Sequence, residues 1–564
     1  MPRRIAPFNF ESTAEQENLT AKPGGILLAE LFHATGCAAA ADATGVRRNR
    51  GYSAADHVFS AVLLNTLGFD ASDDLGQLRS DGALVSAVNQ LNAYQGKERR
   101  TENAFSSPSA FRSFLTDAGS TEERVGGFSG LCSVPVRYAQ KMKPEEKVAV
   151  DIDATVIPTE RGDDVRKNYR NEKSHMAFNC YVPELDMIVR SEFRPGNVSP
   201  RDDRPGLLRR ALSKLPEGVK EVEARIDSAG YCMDIIKYCC CGESPYGVIR
   251  FSISVPMYKP YREEIERVSE KAWRSFVDGD GMEETDRRRA EVDIVPSALV
   301  SCEPYPEIRF IAVRERMKHP KLEERMDASR TELAIEEIEG ENPNTERLHL
   351  TGMNGTVWKV FLMTTNDFER DGQHALEHRW KRCGKSEEVH GILKNDLAGG
   401  HVPSADFGSC AVWWYLCVPS YNLRRLMTHR LFPEERARVH RKRLLATIYS
   451  TPAKMVRHGK RIVIRVFGFL GRLIEAAHWE LLRFHRMNIR YSQGRGSDSE
   501  DERRSADRGA DGAYFQDDKS AFLWIRTGTR RRFFDVGGNV RIKGSEKTPC
   551  GSSVKNNLWN EGEN

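Results

Sequence analysis

Apolar residues recur every three or four positions in the first quarter of the chain, as Leu28, Leu31 and Phe32 do. This period is typical of helices that bury one face. Ser53 stands where its hydroxyl can accept a hydrogen bond from the first turn of another such helix. The pattern therefore predicts a helical region over residues 23–145.

A different pattern follows, in which β-prone runs alternate with helical ones. Residues 146–255 predict, in order, three strands, a helix, a strand, a helix and a strand. The first and fourth of these strands, Lys147–Asp153 and Val222–Asp227, both end at an aspartate. This order is that of the ribonuclease-H-like α/β fold, in which acids at the ends of the first and fourth strands lie side by side.

The stretch between Asp227 and Glu387 spans 160 residues, which is more than one connection needs. We therefore predict an inserted domain that begins with a charged helix at 260–290 and continues with strands. Helical periodicity returns after residue 400 and ends near residue 492, where the chain becomes polar and is expected to be disordered. The predicted strands of the insertion are Val292–Val300, Glu307–Arg314, Arg347–Leu350 and Thr356–Thr364.

Charge is unevenly distributed along the chain. The whole sequence has a net charge of only +4, from 85 basic and 81 acidic residues. Residues 401–490 nevertheless hold 17 Lys and Arg against 5 Asp and Glu, and Arg441, Lys442 and Arg443 are part of this excess. Such a segment is typical of a surface that faces a polyanion, with a solvated basic face as the alternative.

Composition excludes several classes of protein. The 12 cysteines include no Cys-x-x-Cys pair, so a structural zinc site is not predicted. The N-terminus lacks the apolar run of a secretion signal, and the apolar stretch Ile462–Trp479 is interrupted by Arg465, Arg472 and Glu475. We therefore expect a cytoplasmic protein with no membrane span.

Residues 380–394 carry the most distinctive polar pattern. Read as one helix, they place Trp380, Glu387 and Lys394 nearly in line, because seven residues make almost two turns. One face then carries an aromatic ring, a carboxylate and a cationic arm. Glu388 leaves such a helix about 100° from that line, so Glu387 is the preferred functional acid.

Acids at three points of the chain can build a divalent-metal site. Asp153 and Asp227 are predicted on strands and Glu387 on a helix, and carboxylate oxygens on rigid elements suit Mg²⁺. Asp151 and Asp153 share one face of a strand, so periodicity leaves both open as the first acid. A solvated surface helix is the alternative for Glu387.

Five motifs occur in order along the chain, and together they resemble the DDE transposases of bacterial insertion sequences. The resemblance covers residues 20–490 and is to family thirteen-eighty within the larger family-four group. The motifs are Asp153-Ala-Thr155, Phe193-Arg-Pro-Gly-Asn197, Arg225-Ile-Asp-Ser-Ala-Gly-Tyr231, Cys383-Gly-Lys-Ser-Glu-Glu-Val-His390 and Lys394-Asn-Asp-Leu-Ala-Gly-Gly400.

The resemblance implies an enzyme that binds the ends of its element, cuts them and joins them elsewhere. It implies that Asp153, Asp227 and Glu387 hold two Mg²⁺ ions, for which Mn²⁺ can substitute, and that Asp153 is preferred because Ala154-Thr155 follows it. The implied partner is double-stranded DNA with terminal inverted repeats, bound by a homodimer. A nucleoid-associated location follows from that partner.

The chain departs from the larger group's helix motif of Tyr, Arg, Glu and Lys. Trp380 stands at the Tyr position and Cys383 at the Arg position, while Glu387 and Lys394 match. Any role of the Tyr hydroxyl or of the guanidinium is therefore in question. The charge could come instead from Lys381, Arg382 or Lys385, and the predicted DNA contacts are Lys394, Trp380, Lys385, Arg441, Lys442 and Arg443.

Pattern and resemblance together predict six parts, and two rival functions stay open. One rival is a ribonuclease-H-like nuclease without strand transfer, and the other is a decayed transposase that binds DNA without cutting it. The parts are a flexible arm at 1–22, a helical DNA-binding domain at 23–145, a ribonuclease-H-like catalytic domain at 146–255 plus 366–400, a β-rich insertion at 256–365, a basic helical region at 401–492 and a disordered tail at 493–564.

Overall fold

A computed structural model describes most of the chain. The described residues belong to one compact unit, Met1–Thr527, and the second unit, Gly528–Asn564, lies outside them. The predicted arm up to residue 17 and nearly all of the predicted tail also lie outside. The described ranges are 18–46, 51–96, 101–160, 162, 164–168, 170–199, 201–303, 305–318, 348–351, 356–431, 448–458, 461–494 and 524–525, with side chains of the last helix described up to residue 484.

The first part of the chain is helical after a two-residue strand, β1 (Leu19–Thr20). Ser53 caps the third helix as predicted, since its hydroxyl accepts a hydrogen bond from the Asp56 N–H at 3.2 Å. The Asp56 carboxylate accepts in return from the Ser53 N–H at 2.9 Å, which completes a capping box. The helices are α1 (Pro23–Ala34), α2 (Cys37–Asp42), α3 (Ala54–Leu67), α4 (Leu75–Arg79), α5 (Gly82–Tyr94), α6 (Pro108–Gly119), α7 (Glu122–Leu131) and α8 (Val134–Met142).

The second part alternates strands and helices in the predicted order, with one additional two-residue strand. Its strands lie in the spatial order β5, β4, β2, β6, β7, and β2, β6 and β7 run parallel. Both faces of β2 and β6 are largely buried, as is usual for parallel strands covered on two sides. The elements are β2 (Lys147–Pro158), β3 (Arg166–Lys167), β4 (Lys173–Val182), β5 (Met187–Pro195), α9 (Arg204–Leu212), β6 (Glu221–Ile226), α10 (Met233–Cys240) and β7 (Arg250–Val255).

The insertion continues the same sheet. Its strand β12 pairs antiparallel with β7, Leu362 opposite Val255, and the sheet then runs on through β10, β9 and β8. The insertion is therefore an extension of the central sheet within the described residues. Its elements are α11 (Lys259–Glu266), β8 (Arg274–Val277), β9 (Glu283–Val292), β10 (Arg309–Arg316), β11 (Leu348–Thr351) and β12 (Val357–Thr365).

Two predictions for the insertion were wrong. The charged helix ends at Glu266, and most of the rest of 260–290 forms the β8–β9 hairpin. The predicted strand Val292–Val300 is a loop with one short helical turn. The alternation expected of a strand is hidden in β9, because charged residues of this strand pack on aromatic rings distant in sequence. The Arg287 guanidinium lies 5.1 Å from the Trp380 ring centre.

The last part contains helices and a second small sheet. Residues 401–492 were predicted to be helical, and this was wrong in one place. The strands β13 (Ala453–His458) and β14 (Arg461–Val466) form a β-hairpin in which Met455, Ile462 and Ile464 are buried in alternation. The second sheet has the order β1, β13, β14, β15, so part of the predicted N-terminal arm is a strand. The elements are α12 (Gly372–Trp380), α13 (Lys385–Gly391), α14 (Phe407–Leu426), β13 (Ala453–His458), β14 (Arg461–Val466), α15 (Gly468–Gly494) and β15 (Trp524–Ile525).

Helix α14 joins the N-terminal helices to the sheet. It packs against α3, α6, α7 and β5, and its buried residues belong to one continuous core with both. The Trp414 indole donates to the Ser191 hydroxyl at 2.8 Å, and the Asn422 amide donates to the carbonyls of Cys132 and Ile188 at 2.8 Å. This shared core holds the sheet rigidly behind the candidate site. The boundaries of the six predicted parts stay predictions.

Candidate active site

The strand register places Asp153 beside Asp227. Strands β2 and β6 are parallel with Ile152 opposite Ile226, and the next residues along are the two aspartates, at the point where β6 ends. Neighbouring strands lie about 4.8 Å apart, and residues in register point to the same face. Asp227 is fixed further because its carboxylate accepts a hydrogen bond from the Gly230 N–H at 3.0 Å.

Residues 380–394 do not form one helix, so the predicted line of Trp380, Glu387 and Lys394 on a single face was wrong. Helix α12 ends at Trp380, and α13 begins only at Lys385. Between them Gly384 has a φ of 77°, a left-handed conformation that glycine adopts without steric cost. The break redirects α13, which packs against β2. After α13 the chain widens into a π-helical turn, Ile392–Asp396.

Asp153 is the point where the two elements meet. The Arg382 guanidinium, from the turn before α13, lies with Nη2 3.0 Å from Asp153 Oδ2 and also donates to the Ile152 carbonyl at 3.1 Å. The Ser386 hydroxyl lies near enough to the same carboxylate to lower its pKa. Burial and the Glu387 charge raise the pKa of Asp153, whereas the Arg382 charge lowers it, and the net shift is upward.

Asp227 shares this concentration of negative charge. Burial and the neighbouring Asp153 charge raise the pKa of Asp227, and the Arg382 and Arg204 guanidinium groups oppose that rise only in part. The field of Glu387 reaches Asp153, so all three predicted acids lie in one electrostatic environment.

The donor chemistry of this set suits a hard divalent cation. Asp153, Asp227 and Glu387 offer only carboxylate oxygens, and their charges oppose one another until a cation lies among them. Among the residues that the structure describes, no three His, Cys, Asp or Glu side chains are spaced to hold a metal ion as they are placed. Arg382 is the cation that contacts Asp153 here.

Asp151, the alternative first acid, has a different partner. The Arg225 guanidinium donates to both of its oxygens, Nε at 2.6 Å and Nη2 at 2.8 Å, and its Nη1 donates to the His378 carbonyl at 3.0 Å. The Asp151 and Arg225 side chains are only 1% and 2% exposed. This pair fills the layer directly beneath Asp153, which leaves Asp153 as the aspartate of β2 at the open edge.

Residues 10–293 match the family model for transposase DDE domain group 1, which covers half of the chain. The chain belongs to the DDE transposases. Membership implies phosphodiester cleavage and transfer, and enzymes of this family generally depend on divalent metal. Asp153 and Asp227 lie inside the matched residues, and Glu387 lies beyond them.

Other comparisons add little. The transposase shows a likeness to a piggyBac transposase synaptic complex with hairpin DNA, at 9% identity and a TM-score of 0.39, covering 89% of this chain and 88% of that one. That likeness is too weak to bear on fold or partners. No curated protein matches the chain. Among the described residues of the transposase, no helix is long and apolar enough to cross a membrane.

The two neighbouring glutamates of α13 have different surroundings. Glu388 contacts Lys385 Nζ at 3.1 Å and Arg425 Nη2 at 3.9 Å, on the side facing α14. Glu387 instead influences the pKa of Asp153 and of His390. His390 is buried, and burial lowers its pKa to about 4, which keeps its imidazole neutral at pH 7.

Two predicted DNA contacts near the site bind protein atoms in the transposase. Lys394 Nζ lies 3.4 Å from the Val156 carbonyl of β2, and burial lowers the pKa of Lys394. Lys385 Nζ lies 3.7 Å from Asp186 Oδ1, in addition to its contact with Glu388. Both ammonium groups therefore already have protein oxygens as partners, a carbonyl of β2 for Lys394 and two carboxylates for Lys385.

The remaining predicted DNA contacts are distant from the site or lie outside the described residues. The Trp380 ring packs 5.4 Å from the Phe276 ring centre in a small cluster of the insertion, with the Arg287 guanidinium over it. This side chain is half-buried, and the ring contacts described for it are with residues of the insertion. Arg441, Lys442 and Arg443 lie outside the described residues.

Sequence reasoning missed three side chains of the site and left one ambiguous. Ser386 and His390 stand within one of the five motifs but had no predicted role, and Arg382 was one of three possible cations. Arg204, on α9, is fully buried, and its charge acts on Asp227. Its guanidinium lies 5.6 Å from the Phe178 ring centre. The one signal for Arg204 in the sequence is a charged residue in an otherwise apolar helix face.

Proposed function

We propose that this transposase serves a bacterial insertion sequence of family thirteen-eighty and binds the ends of that element. It catalyses metal-dependent strand cleavage and strand transfer of the cut-and-paste type. The observation that carries the proposal is the register of β2 and β6, which makes Asp153 and Asp227 neighbours. The approach of α13, which brings Glu387 into the same field, supports it. The strand order β5, β4, β2, β6, β7 supports a ribonuclease-H-like core.

The chemistry follows from these carboxylates. Two Mg²⁺ ions, or Mn²⁺ in their place, would activate the attacking hydroxyl and stabilise the leaving oxygen. Asp153, Asp227 and Glu387 supply the oxygen ligands, and Asp227 is held in position by the Gly230 N–H. His390 stays neutral beside them, so it adds no positive charge that would compete for the carboxylates.

The DNA partner is argued from charge. Residues 401–490 carry an excess of 12 positive charges, which suits contacts to phosphates on the duplex. We propose that this segment, with Arg441, Lys442 and Arg443, holds double-stranded DNA bearing terminal inverted repeats. A homodimer that pairs two ends, acting on the nucleoid in the cytoplasm, completes the proposal.

Substitution of single carboxylates tests the ligand set. Asp153→Asn, Asp227→Asn and Glu387→Gln should each lower cleavage of element-end DNA in Mg²⁺ or Mn²⁺ by more than the roughly 10–100-fold typical of losing an outer partner of a metal ligand. Binding of the same DNA in a gel-shift assay should persist, because phosphate contacts elsewhere supply most of the affinity. Glu388→Gln is the matched control and should retain most cleavage, since its partners are Lys385 and Arg425.

The same assay separates the rival functions. Cleavage of ends without joining to target DNA would identify a nuclease, and specific binding without cleavage in the wild-type protein would identify a decayed regulator. Loss of cleavage in Glu388→Gln together with full activity in Glu387→Gln would overturn the assignment of the third acid.

A further inference from the structure

Arg382 is the cation of the candidate site. Its guanidinium contacts the Asp153 carboxylate at 3.0 Å and the Ile152 carbonyl at 3.1 Å, and the charges of Asp227 and Asp151 act on it as well. Its side chain is only 6% exposed, whereas that of Asp153 is 17% exposed. One guanidinium therefore stands inside a group of carboxylates that opens toward solvent on the side of Asp153.

The contacts of Arg382 are fewer than those of its buried neighbour. Arg225 donates from all three of its nitrogens, two to Asp151 and one to the His378 carbonyl. Arg382 donates to protein acceptors through Nη2, while its buried Nε has no hydrogen-bond partner among the described residues. An unsatisfied buried donor lowers the stability of that arrangement relative to alternatives. Arg225 is therefore fixed in the core by its three donating nitrogens, whereas Arg382 loses fewer hydrogen bonds when its guanidinium changes partners.

The backbone at Arg382 permits such an exchange. The residue lies in the turn between α12 and α13, just before Gly384 with its φ of 77°. Because the Arg382 N–H donates to the Arg379 carbonyl and its own carbonyl accepts from the Lys385 and Ser386 N–H groups, rotation about the side-chain torsions moves the guanidinium while this backbone stays in place. A planar guanidinium also matches the oxygens of a phosphate group in a two-point contact.

We propose that Arg382 is an internal cation that occupies the Asp153 carboxylate until a divalent metal ion is bound there, and that it then turns to a phosphate of the DNA. This inference rests on the ligand set of the proposed function. Metal binding and DNA binding then favour each other, because the metal ion releases the Arg382 guanidinium from Asp153 and the released guanidinium contacts a phosphate. It also offsets part of the repulsion among the three carboxylates in the free protein.

Metal affinity without DNA is the first test. Binding of Mn²⁺ to the full chain, followed by electron paramagnetic resonance, should be tighter in Arg382→Gln than in wild type by about tenfold or more, because a competing unit charge has been removed from contact distance. Arg314→Gln is the matched control: Arg314 is a buried arginine of β10 whose guanidinium pairs with the Glu270 carboxylate, and its loss should change affinity much less.

Two further outcomes separate this inference from the function beneath it. If Asp153→Asn leaves Mn²⁺ affinity unchanged, the ligand set of the proposed function is wrong. If Asp153→Asn abolishes Mn²⁺ binding but Arg382→Gln binds no more tightly than wild type, the ligand set stands and the role of Arg382 as a competing cation is overturned.

A measurement on the wild-type protein covers the case in which Arg382→Gln does not fold. Modification by phenylglyoxal, mapped by mass spectrometry, should become faster at Arg382 when Mn²⁺ is added, because the guanidinium leaves Asp153. Arg225 should stay unreactive and serves as the internal control. An unchanged rate at Arg382 in saturating Mn²⁺ would show that the pair persists and would overturn the proposal.

Discussion

The two aspartates of β2 offer a test in which stability and activity should move in opposite ways. Asp151→Asn keeps the shape of the side chain and removes the charge that neutralises Arg225, which is 2% exposed. Breaking a buried ion pair from one side costs about 3–5 kcal/mol. We expect a loss of that order in the free energy of unfolding, measured by urea denaturation with tryptophan fluorescence, and only a secondary effect on cleavage.

Asp153→Asn should behave in the reverse manner. Burial and the Glu387 charge raise the pKa of Asp153, so its ionised form is disfavoured in the folded protein and a neutral side chain costs little. The Arg382 guanidinium keeps the charges of Asp227 and Asp151 near it when Asp153 is neutral, so we expect a smaller loss of stability than in Asp151→Asn, together with loss of cleavage. The double change Asp151→Leu with Arg225→Met should recover much of the stability lost in Asp151→Asn, since well-packed apolar pairs often replace buried ion pairs without net cost.

An exposed pair of similar geometry provides the control. Asp73 and Arg112 are also in contact at 2.8 Å, but their side chains are 76% and 52% exposed. Asp73→Asn should therefore change the unfolding free energy by about 1 kcal/mol or less. If Asp151→Asn proved as stable as wild type but inactive, the roles assigned to Asp151 and Asp153 would have to be exchanged.

Two other predictions concern pH and salt. Although burial alone would raise it, hydrogen bonds and charges from neighbouring arginines lower the pKa of Glu192 to about 2, from 4.5 when unpaired. Its ionised form stabilises the fold above pH 4.5, and this contribution is lost as the pH falls toward 2. Glu192→Gln should therefore be less stable than wild type by about 3 kcal/mol at pH 7, and the difference should vanish between pH 4.5 and pH 2. Changing Arg441, Lys442 and Arg443 to Glu should lower the slope of log DNA affinity against log salt concentration by about 0.9 for each phosphate that the protein no longer neutralises. An unchanged slope would mean that these residues only face solvent.

Elements with a strong local signal could be predicted from the sequence. The helix cap at Ser53 and the strands of 146–255 depend on residues close in the chain, and both were found as predicted. Strand β9 could not, because its charged side chains pack on aromatic rings distant in sequence. The hairpin β13–β14 has a local alternation of apolar residues, and the helical prediction for 401–492 overlooked it. Periodicity cannot show an aromatic partner that lies many residues away.

The placement of the candidate acids could be predicted only in part, and their roles stay predictions. Runs of β-prone residues placed Asp153 and Asp227 on strands, and the ribonuclease-H-like order predicted that these two strands are neighbours, as they are in the structure. The helix of residues 380–394 was read as continuous because seven-residue spacing ignores one glycine in a left-handed conformation. Arg382 could not be singled out, since its contact with Asp153 exists only after that break turns the chain.

The break at Gly384 also explains why two arginine–aspartate pairs on the same strand can have different roles. Arg225 comes from β6, whose register with β2 fixes it opposite Asp151, so this pair is part of the sheet itself. Arg382 comes from a turn outside the sheet and reaches Asp153 where β6 has ended. A pair set by strand register cannot separate without disturbing the core, whereas a pair made across the sheet edge can. The inner pair therefore suits stability, and the outer pair suits exchange with a metal ion and DNA.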